Sequence, residues 1–361
     1  MKNVLMLTPV FEKGGTEVYI INLSKFLSKN DFNVTVMSAG GIRESSLKKE
    51  GIRSIVSKNF GEKSFLNLVK SAYQVYRAIK VNNISIIHAS SIYTSIIGKV
   101  AAIFCFIFSK RKVPVILTLH GGPNKNIEKE SAFLLNLFTD RVIALSENAK
   151  NELIMNGLRG NKVHVIYNGI EIPDLKNNYS FFDDGIINII TTGRLTEQKG
   201  HVYLIKAAAI LKEKIGNSFC IYILGDGEKK EDLSSMIEGY SLEKNIKLLG
   251  FKNEPLKYLS CADIFVLPSL WEQFPISSLE AMGLGKPIIA SNVNGLPEQI
   301  KDAGILINPA SEYEIYDALL YLIENKSKRE TYSELAKKRF EENFTLSSMG
   351  EKTIRVYKGL F

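Results

Sequence analysis

Two carboxylates eight positions apart mark the segment of the sequence with the clearest chemical potential. Glu272 and Glu280 bracket the sequence EQFPISSLE, which follows an apolar run and predicts the beginning of a helix. Pro275 can occupy the first helical turn, where its missing N–H costs nothing. Two carboxylates so placed can each take paired hydroxyls from different parts of one ligand, beside free N–H groups that favour an anion. Glu280 also fits an ordinary surface position.

A basic loop is the second candidate. Arg194 and Lys199 lie five residues apart in GRLTEQKG, after the first predicted strand of the second half of the chain. A guanidinium fork and an ammonium can together hold a diphosphate. The alternative is a solvated basic loop, but the position after a strand and between glycines favours a ligand site.

Glycine-containing turns follow several predicted strands. Gly14-Gly15 lies between the first strand and the first helix, where the backbone can approach a phosphate or a sugar closely. A plain turn between strand and helix explains the two glycines equally well. Gly225-Asp226-Gly227 and Gly250-Phe251 are weaker candidates of the same kind. The sequence lacks GxGxxG at the first turn, and no acidic residue clearly ends the second strand, which disfavours a nicotinamide cofactor.

His120 follows the predicted strand Val113–Leu119 and precedes Gly121-Gly122-Pro123. Most single histidines are structural, but the carboxyl end of a strand before a glycine-rich loop favours a functional role. His88 has a similar place with a weaker context. We interpret His164 and His201 as structural.

The elements that must position these residues alternate between short apolar runs and longer amphipathic segments. This alternation predicts parallel βαβ units on both sides of a polar stretch at Pro173–Gly185. The sequence therefore predicts two doubly wound parallel sheets, with the carboxyl ends of their strands facing a central cleft. The predicted strands are Val4–Thr8, Asn33–Ser38, Ile84–His88, Val113–Leu119, Arg141–Leu145, Val163–Tyr167, Ile186–Thr191, Phe219–Leu224, Ile246–Leu249, Ile264–Leu267, Pro287–Ala290 and Ile305–Ile307.

Charge is unevenly distributed over the 361 residues. Residues 1–170 hold 23 basic and 11 acidic side chains, a net of +12, and residues 171–361 hold 23 and 27, a net of −4. The basic half favours anions such as phosphates, acidic lipid head groups or nucleic acid. Three isolated cysteines, Cys105, Cys220 and Cys261, support neither a disulfide framework nor a zinc site. The short apolar run at the N-terminus predicts a strand rather than a signal peptide.

Two segments suggest a membrane surface. Lys63, Lys70 and Arg77 recur every seven residues, and we expect them on one side of a helix with Phe65, Leu66, Tyr73 and Tyr76 on its other side. A solvated face of an ordinary helix is the simpler interpretation of this stripe. The apolar run Ile96–Phe108, followed by Lys110-Arg111-Lys112, is too short to cross a bilayer and fits a core helix or shallow insertion into lipid.

Taken together, these motifs resemble the retaining glycosyltransferases of family four, which have the GT-B fold. The resemblance covers nearly the full length. It rests most specifically on GRLTEQKG and on the two glutamates of EQFPISSLE. Further matches are GGTE, the strand-end histidine, NGI, GDG, and GKPIIAS with NGLPEQI after it. It implies an N-terminal domain at 1–170, a linker at 171–185, a nucleotide-sugar domain at 186–344 and a final helix at 345–361 that returns to the first domain.

The resemblance also implies roles for individual residues. Arg194 and Lys199 would hold the donor diphosphate, and Glu280 the ribose. Glu272 and the amides after it would contact the sugar, and His120 would lie near it. The implied catalytic residues are Glu272, His120, Arg194 and Lys199. The implied donor-binding residues are Gly15, Arg194, Lys199, Gly225, Phe251, Glu272, Phe274, Pro275, Ile276 and Glu280. Gln273 stands where the family commonly has a small residue, which leaves the donor sugar open.

We therefore expect a glycosyltransferase that moves a hexose-type sugar from a nucleotide diphosphate, UDP-linked, to a membrane-linked glycan or lipid acceptor. The expected setting is surface polysaccharide assembly, in the cytoplasm and peripheral to the inner face of the membrane. We expect retention of configuration, no cofactor, no metal and no nucleic-acid partner. A nucleotide-sugar epimerase is one alternative, but it needs further carboxylates that we cannot assign. A non-catalytic partner in glycan assembly is another, although it would be expected to lose Glu272, Arg194 or Lys199.

Overall fold

The computed structural model describes residues 2–12, 14–61, 64–120, 129–175 and 179–361. The chain forms two compact units. The first contains Met1–Gly169 and Leu346–Phe361, and the second contains Ile170–Thr345.

The first unit is built on a parallel sheet of seven described strands in the order β3-β2-β1-β4-β5-β6-β7. This order reverses direction beside β1, which makes the β1/β4 boundary the switch point of a doubly wound sheet. Its strands are β1 Lys2–Leu7, β2 Phe32–Ser38, β3 Arg53–Val56, β4 Ile86–Ala89, β5 Val115–Leu119, β6 Arg141–Ala144 and β7 Val163–Val165. Its helices are α1 Gly15–Ser28, α2 Glu44–Lys49, α3 Phe65–Val81, α4 Ile92–Ser109, α5 Lys129–Phe138, α6 Glu147–Met155 and, from the end of the chain, α14 Leu346–Lys358.

Both faces of this sheet are covered because its strands are apolar on both sides. In β1, Val4 and Met6 belong to the core beneath α1 and α14, whereas Leu5 and Leu7 belong to the core beneath α3 and α4. Successive side chains of a strand point to opposite faces, so an uninterrupted apolar run requires a helix layer on each side. The C-terminal helix α14 supplies part of one layer and buries Tyr357 completely.

Helix α3 differs from the sequence prediction. Its buried side carries Ala72, Val75 and Ile79, whereas Phe65, Leu66 and Tyr73 are exposed together with Lys70 and Arg77. The basic and aromatic side chains therefore share the outward side of the helix and do not lie on opposite sides. Lys63 lies outside the described residues.

Helix α4 is longer than its apolar run. Its 18 residues, with a mean hydropathy of 1.8, have the length and composition of a membrane span, in contrast to the prediction that this segment is too short. Within the unit, however, it packs on the sheet through Ile97, Ala101, Ala102 and Cys105, and Ser91 begins it with a capping box. Here α4 is a covering helix of the sheet.

The second unit repeats the architecture with six parallel strands in the order β10-β9-β8-β11-β12-β13, and its switch point lies between β8 and β11. Its strands are β8 Ile187–Thr192, β9 Phe219–Leu224, β10 Ile246–Gly250, β11 Ile264–Leu267, β12 Ile288–Ser291 and β13 Ile305–Ile307. Its helices are α7 His201–Ile215, α8 Lys230–Gly239, α9 Pro255–Cys261, α10 Ile276–Gly283, α11 Leu296–Ile300, α12 Glu312–Glu324 and α13 Lys326–Asn343. The predicted fold class, two doubly wound parallel-sheet domains, is confirmed.

Candidate active site

The candidate site of the second unit lies at the switch point of its sheet. Strands β8 and β11 pair directly, with Ile189 opposite Ile264. The loop after β8 carries Lys199, and the loop after β11 carries Glu272. Ligands of doubly wound sheets bind outside the carboxyl ends of the strands at this point, so the topology brings two separate sequence motifs to one place.

Lys199 and Glu272 form an ion pair across these two loops. Lys199 Nζ lies 2.5 Å from Glu272 Oε1, and the two side chains are 14% and 9% exposed. The Ser269 hydroxyl donates to the same Oε1 at 3.1 Å. No donor among the described residues contacts Oε2, and this oxygen keeps access to solvent. The pair therefore fixes both side chains and leaves one carboxylate oxygen open to a hydroxyl of a ligand.

Backbone and amide contacts hold the two loops together. Leu270 N donates to Gln198 O at 2.7 Å, and Gln198 Nε2 donates to Trp271 O at 2.9 Å. From the loop after β12, Asn294 Oδ1 accepts from Glu272 N at 3.3 Å. These roles of Ser269, Gln198 and Asn294 were not predicted from the sequence, although Gln198 lies in GRLTEQKG and Asn294 in NGLPEQI.

Glycines make this close approach possible at two points. Gly200 has a φ of +64°, and a Cβ there would lie 2.0 Å from Pro268 O in the neighbouring loop. Gly225, predicted at the donor site, follows β9 with a φ of +152°, and a Cβ there would lie 1.7 Å from Gly193 O. Neither position tolerates a side chain without movement of the loops.

The Arg194 side chain is exposed and makes no hydrogen bond or ion pair with the described residues. It lies one residue after Gly193, at the carboxyl end of β8. The loop thus presents one cation already paired with a carboxylate and a second that is free for an anionic ligand.

Helix α10 begins at Ile276, and Pro275 is its N-cap residue rather than part of the first turn. The Phe274 ring is buried 5.5 Å from the Phe344 ring, so this side chain belongs to the core. Ile276 and Ser277 occupy the first turn, where backbone N–H groups are available to a ligand. Glu280 lies in the second turn and is half-buried.

Several buried hydroxyls at this edge have no hydrogen-bond partner in the described part of the chain. They are those of Thr191, Thr192, Thr196 and Ser277. Buried polar atoms are nearly always paired in native proteins, so such a group indicates a place for water or a polar ligand. Phe251, also predicted at the donor site, follows β10, and Gly225 N donates to Gly250 O at 3.0 Å beside it.

His201 begins α7 immediately after the basic loop. It is buried, and its Nδ1 has no hydrogen-bond partner among the described residues. Burial and, to a smaller degree, the Lys199 ammonium lower the pKa of His201 to about 3. The imidazole is therefore neutral at physiological pH.

In the first unit, Tyr19 of α1 links the helix that begins at Gly15 to the His120 ring. Gly15 is the first residue of α1, and Tyr19, one turn later, packs edge-on against the His120 ring with 4.5 Å between ring centroids. His120 Nε2 is buried without a described partner, and burial lowers the pKa of His120 to about 3. Gly121-Gly122-Pro123, predicted to form the loop beside it, lie outside the described residues.

A buried network of hydrogen bonds lies next to Tyr19, the residue that packs on His120. His88 Nδ1 lies 2.5 Å from the Tyr357 hydroxyl, and His88 Nε2 lies 2.7 Å from Thr118 Oγ1. Thr118 Oγ1 also hydrogen bonds the Tyr19 hydroxyl at 2.9 Å. Burial, with a smaller effect from His120, lowers the pKa of His88 to about 3, and burial raises the pKa values of Tyr19 and Tyr357. These hydrogen bonds connect the C-terminal helix to the Tyr19 ring that packs on His120.

Among the described residues, no three His, Cys, Asp or Glu side chains are grouped so that they could hold a metal ion.

Comparison with known families matches almost the whole chain. A family model described as glycosyl transferases group 1 matches residues 175–339, and a model described as glycosyltransferase family 4 matches residues 13–172.

Individual relatives agree with these matches. The chain is similar to UDP-Gal:alpha-D-GlcNAc-diphosphoundecaprenol alpha-1,3-galactosyltransferase of Escherichia coli, with 31% identity over 73% of this chain and 72% of that protein. It is 26% identical to the O-antigen biosynthesis glycosyltransferase WclY of Escherichia coli, over 76% of this chain and 79% of that protein. The crystal structure of Anabaena Alr3699/HepE in complex with UDP and glucose superposes with a TM-score of 0.82 at 21% identity, over 98% of this chain and 99% of that one.

Proposed function

This chain belongs to glycosyltransferase family 4, and we propose that it transfers a hexose from a UDP-sugar to a lipid-linked glycan acceptor with retention of configuration. We place this reaction in bacterial surface polysaccharide assembly, at the cytoplasmic face of the membrane. The names of the two Escherichia coli relatives support this setting, because one acts on a diphosphoundecaprenol-linked sugar and the other belongs to O-antigen biosynthesis.

The observation that carries the proposal is the contact between Lys199 and Glu272 at the switch point of the second sheet. With Arg194 free beside it, the site offers two cations for a diphosphate and an open carboxylate oxygen for a sugar hydroxyl. The unpartnered hydroxyls at the same edge supply further polar contacts. A nucleotide-diphosphate sugar satisfies all three kinds of group with one molecule.

In the proposed reaction, a hydroxyl of the acceptor attacks the anomeric carbon on the face from which the diphosphate departs. The bond between that carbon and the diphosphate oxygen breaks, and the leaving diphosphate takes the hydroxyl proton. Negative charge grows on the leaving group, where Arg194 and Lys199 stabilise it. Preorganised charges of this kind contribute several kcal/mol at such sites. We infer that these cations replace a metal ion.

The ion pair with Glu272 gives Lys199 a second role. Glu272 holds the ammonium at the mouth of the sheet before the donor binds, so no reorganisation is needed when charge develops. In return, Lys199 and Ser269 occupy Oε1 of Glu272 and leave Oε2 toward the ligand. Removing either side chain therefore disturbs diphosphate and sugar contacts together.

The decisive experiment is a titration of the full chain with UDP, GDP, ADP and dTDP. Trp271, the single tryptophan, adjoins Glu272 and reports binding by its fluorescence. We expect the tightest binding for UDP and a loss of at least about ten-fold in Arg194→Ala. Lys214→Ala is the matched control, because Lys214 is an exposed cation at the far end of the same helix α7 that the basic loop precedes.

Transfer is then assayed with UDP-galactose and UDP-glucose on a GlcNAc-diphospholipid acceptor, with the product anomer assigned by NMR. An α product from these α-linked donors and full activity in excess chelator are expected. A β product contradicts retention, and loss of activity on chelation contradicts the role of the cations in place of a metal. Release of an epimerised sugar without transfer contradicts the transferase assignment itself.

A further inference from the structure

The outward sides of α3 and α4 in the first unit expose an unusual number of large apolar side chains. We call this surface the α3–α4 face. Phe65 is 79% exposed, Leu66 69% and Phe108 71%. Its other exposed apolar residues are Val69, Tyr73, Ile103, Phe106 and Ile107. Contiguous exposed apolar surface of this kind marks an interaction site in a soluble protein.

The apolar side chains of the two helices are continuous. Tyr73 and Tyr76 of α3 have ring centroids 6.3 Å apart, and Tyr76 lies 6.1 Å from Phe108 of α4. Because α3 and α4 pack side by side on the sheet, this aromatic row joins the middle of α3 to the C-terminal end of α4. Phe65 and Val69 precede Tyr73 at four-residue spacing and so lie on the same side of α3. The face is therefore one surface rather than scattered residues.

The charge of this region is entirely positive. Residues 64–120 contain no Asp or Glu and seven basic residues, although acidic residues make up 38 of the 361 in the whole chain. Lys99 pairs with Asp140, and Arg111 binds the backbone of the loop after α3. The other five, Lys70, Arg77, Lys80, Lys110 and Lys112, are exposed.

Basic and aromatic groups are interleaved on the face. Lys80 Nζ lies 5.6 Å from the Tyr76 ring centroid, and Lys110 Nζ lies 5.9 Å from the Phe106 ring centroid. Apolar side chains flanked by lysine and arginine are the composition of surfaces that lie in the boundary between lipid headgroups and acyl chains.

We propose that the α3–α4 face docks on an anionic lipid bilayer. Phe65, Leu66, Ile107 and Phe108 enter the headgroup boundary, and the five exposed cations contact lipid phosphates. Since the opposite side of α4 is buried in the unit, the helix lies on the bilayer and does not cross it. Docking at an anionic bilayer brings the enzyme to the lipid-linked acceptor of the proposed function. The inference rests on the proposed function only for this link to the acceptor.

Charge complementarity selects the bilayer over a second copy of this chain. A symmetric dimer would place the same face of each copy against the other and bring cations against cations. An anionic bilayer instead supplies phosphates for every cation and an apolar layer for the aromatic row.

The test is flotation of the purified full chain with vesicles of phosphatidylcholine alone or with 30% phosphatidylglycerol added. Lys70→Gln, Arg77→Gln and Lys80→Gln are combined in one variant. Each cation near an anionic surface contributes about 1 kcal/mol, or about five-fold in partitioning, so we expect about a 100-fold loss. Lys328→Gln, Lys337→Gln and Lys338→Gln together are the matched control, since these are exposed lysines on α13 of the second unit. We expect the control to bind as wild type does.

A second variant, Leu66→Ser with Ile107→Ser and Phe108→Ser, separates insertion from charge. Binding that persists in 0.5 M NaCl should fall at least about ten-fold in this variant, because salt screens the charges but not the apolar contacts. Equal binding of wild type to both kinds of vesicle overturns the proposal, and so does equal binding by wild type and the glutamine variant. A wild-type dimer that the serine variant converts to monomer assigns the face to a second copy instead.

UDP titration of the same variants keeps the two proposals apart. Retained UDP binding without vesicle binding defeats the docking surface alone, whereas vesicle binding without UDP binding defeats the proposed function alone.

Discussion

Lys199 Nζ and Glu272 Oε1 approach to 2.5 Å between two loops that are 73 residues apart in the chain. Both side chains are largely buried, so each charge depends on the other for compensation. Breaking a buried ion pair on one side leaves an uncompensated charge, which costs more than removing both charges together.

We therefore predict that Lys199→Met and Glu272→Gln each lower the unfolding free energy of the second unit by about 3 kcal/mol. The double variant should lose less than the sum of the two. Urea unfolding followed by Trp271 fluorescence measures this. The surface pair Lys257–Glu254 is the control, since the same substitutions there should leave stability nearly unchanged. Additive losses at Lys199 and Glu272 would disprove the coupling.

Arg194 allows a cleaner test of catalysis, because its side chain is exposed and makes no hydrogen bond or ion pair in the described part of the protein. Arg194→Ala should lower kcat about 100-fold, with an unchanged melting temperature, because its charge acts mainly on the developing diphosphate. Arg194→Lys should give an intermediate kcat, since it keeps the charge and loses the fork. An effect confined to KM would contradict a role in the transition state.

Glu280 should behave differently from Arg194. A ribose contact is similar in the ground state and in the transition state, so Glu280→Ala should raise KM with little change in kcat. Steady-state kinetics with a saturating acceptor measures both constants. A large fall in kcat at unchanged KM would contradict the assignment of Glu280 to a ribose contact.

Gly295 tests the loop that supports Glu272. A Cβ at this position would lie 1.8 Å from Gln273 O, and Gly295 N donates to Glu272 O. Gly295→Ala should displace the Glu272 loop and lower kcat/KM at least about ten-fold, because small misplacement at a reacting centre is costly. Gly239→Ala is the control, since a Cβ there meets no atom within 4 Å. Wild-type kinetics in Gly295→Ala would show that the loop position does not matter.

The sheets were predictable because buried strands in this chain are apolar runs that alternate with amphipathic segments. All six strands of the second unit were predicted within two residues. Strand β3 Arg53–Val56 was not, because this edge strand is partly exposed and carries only Ile55 and Val56 as apolar residues. Hydrogen bonding to β2 stabilises β3 as a strand, although its own residues do not show a strand pattern.

Candidate site residues could be predicted from the sequence only where a single motif contains the reactive or charged side chain. Lys199 and Glu272 were identified from separate motifs, but their ion pair depends on the adjacency of β8 and β11, which strand order sets. Asn294 binds the Glu272 backbone from 22 residues away, and no local signal marks that contact. The stripe on α3 was assigned wrongly because only the position of the sheet decides which side of a helix is buried.

The C-terminal helix should contribute to the stability of the first unit through the contact of Tyr357 with His88. Tyr357→Phe removes the hydroxyl and leaves His88 Nδ1 buried without its partner, at a cost of about 1–3 kcal/mol. Hydrogen exchange in β4 and β5 measures this loss within the unit. Tyr313→Phe, at a 67% exposed position on α12, is the control and should have no effect. Unchanged exchange in Tyr357→Phe would show that the hydrogen bond does not stabilise the unit.

Acid should destabilise the first unit through His88. Its pKa is about 3 in the folded protein and about 6.5 when unfolded, so between these values the unfolded chain binds the extra proton. The unfolding free energy is therefore unaffected by His88 above about pH 6.5 and falls as the pH drops toward 3. From pH 7 to pH 5, His88 alone should account for about 2 kcal/mol. His120, whose pKa is also about 3, adds to the same slope.

His88→Gln should be less stable at pH 7, but its stability should depend less steeply on pH, by up to about 1.4 kcal/mol per unit between pH 6 and 4. Hydrogen exchange in β4 and β5 across this range measures both slopes, and parallel slopes for wild type and His88→Gln would contradict a neutral buried imidazole at this position.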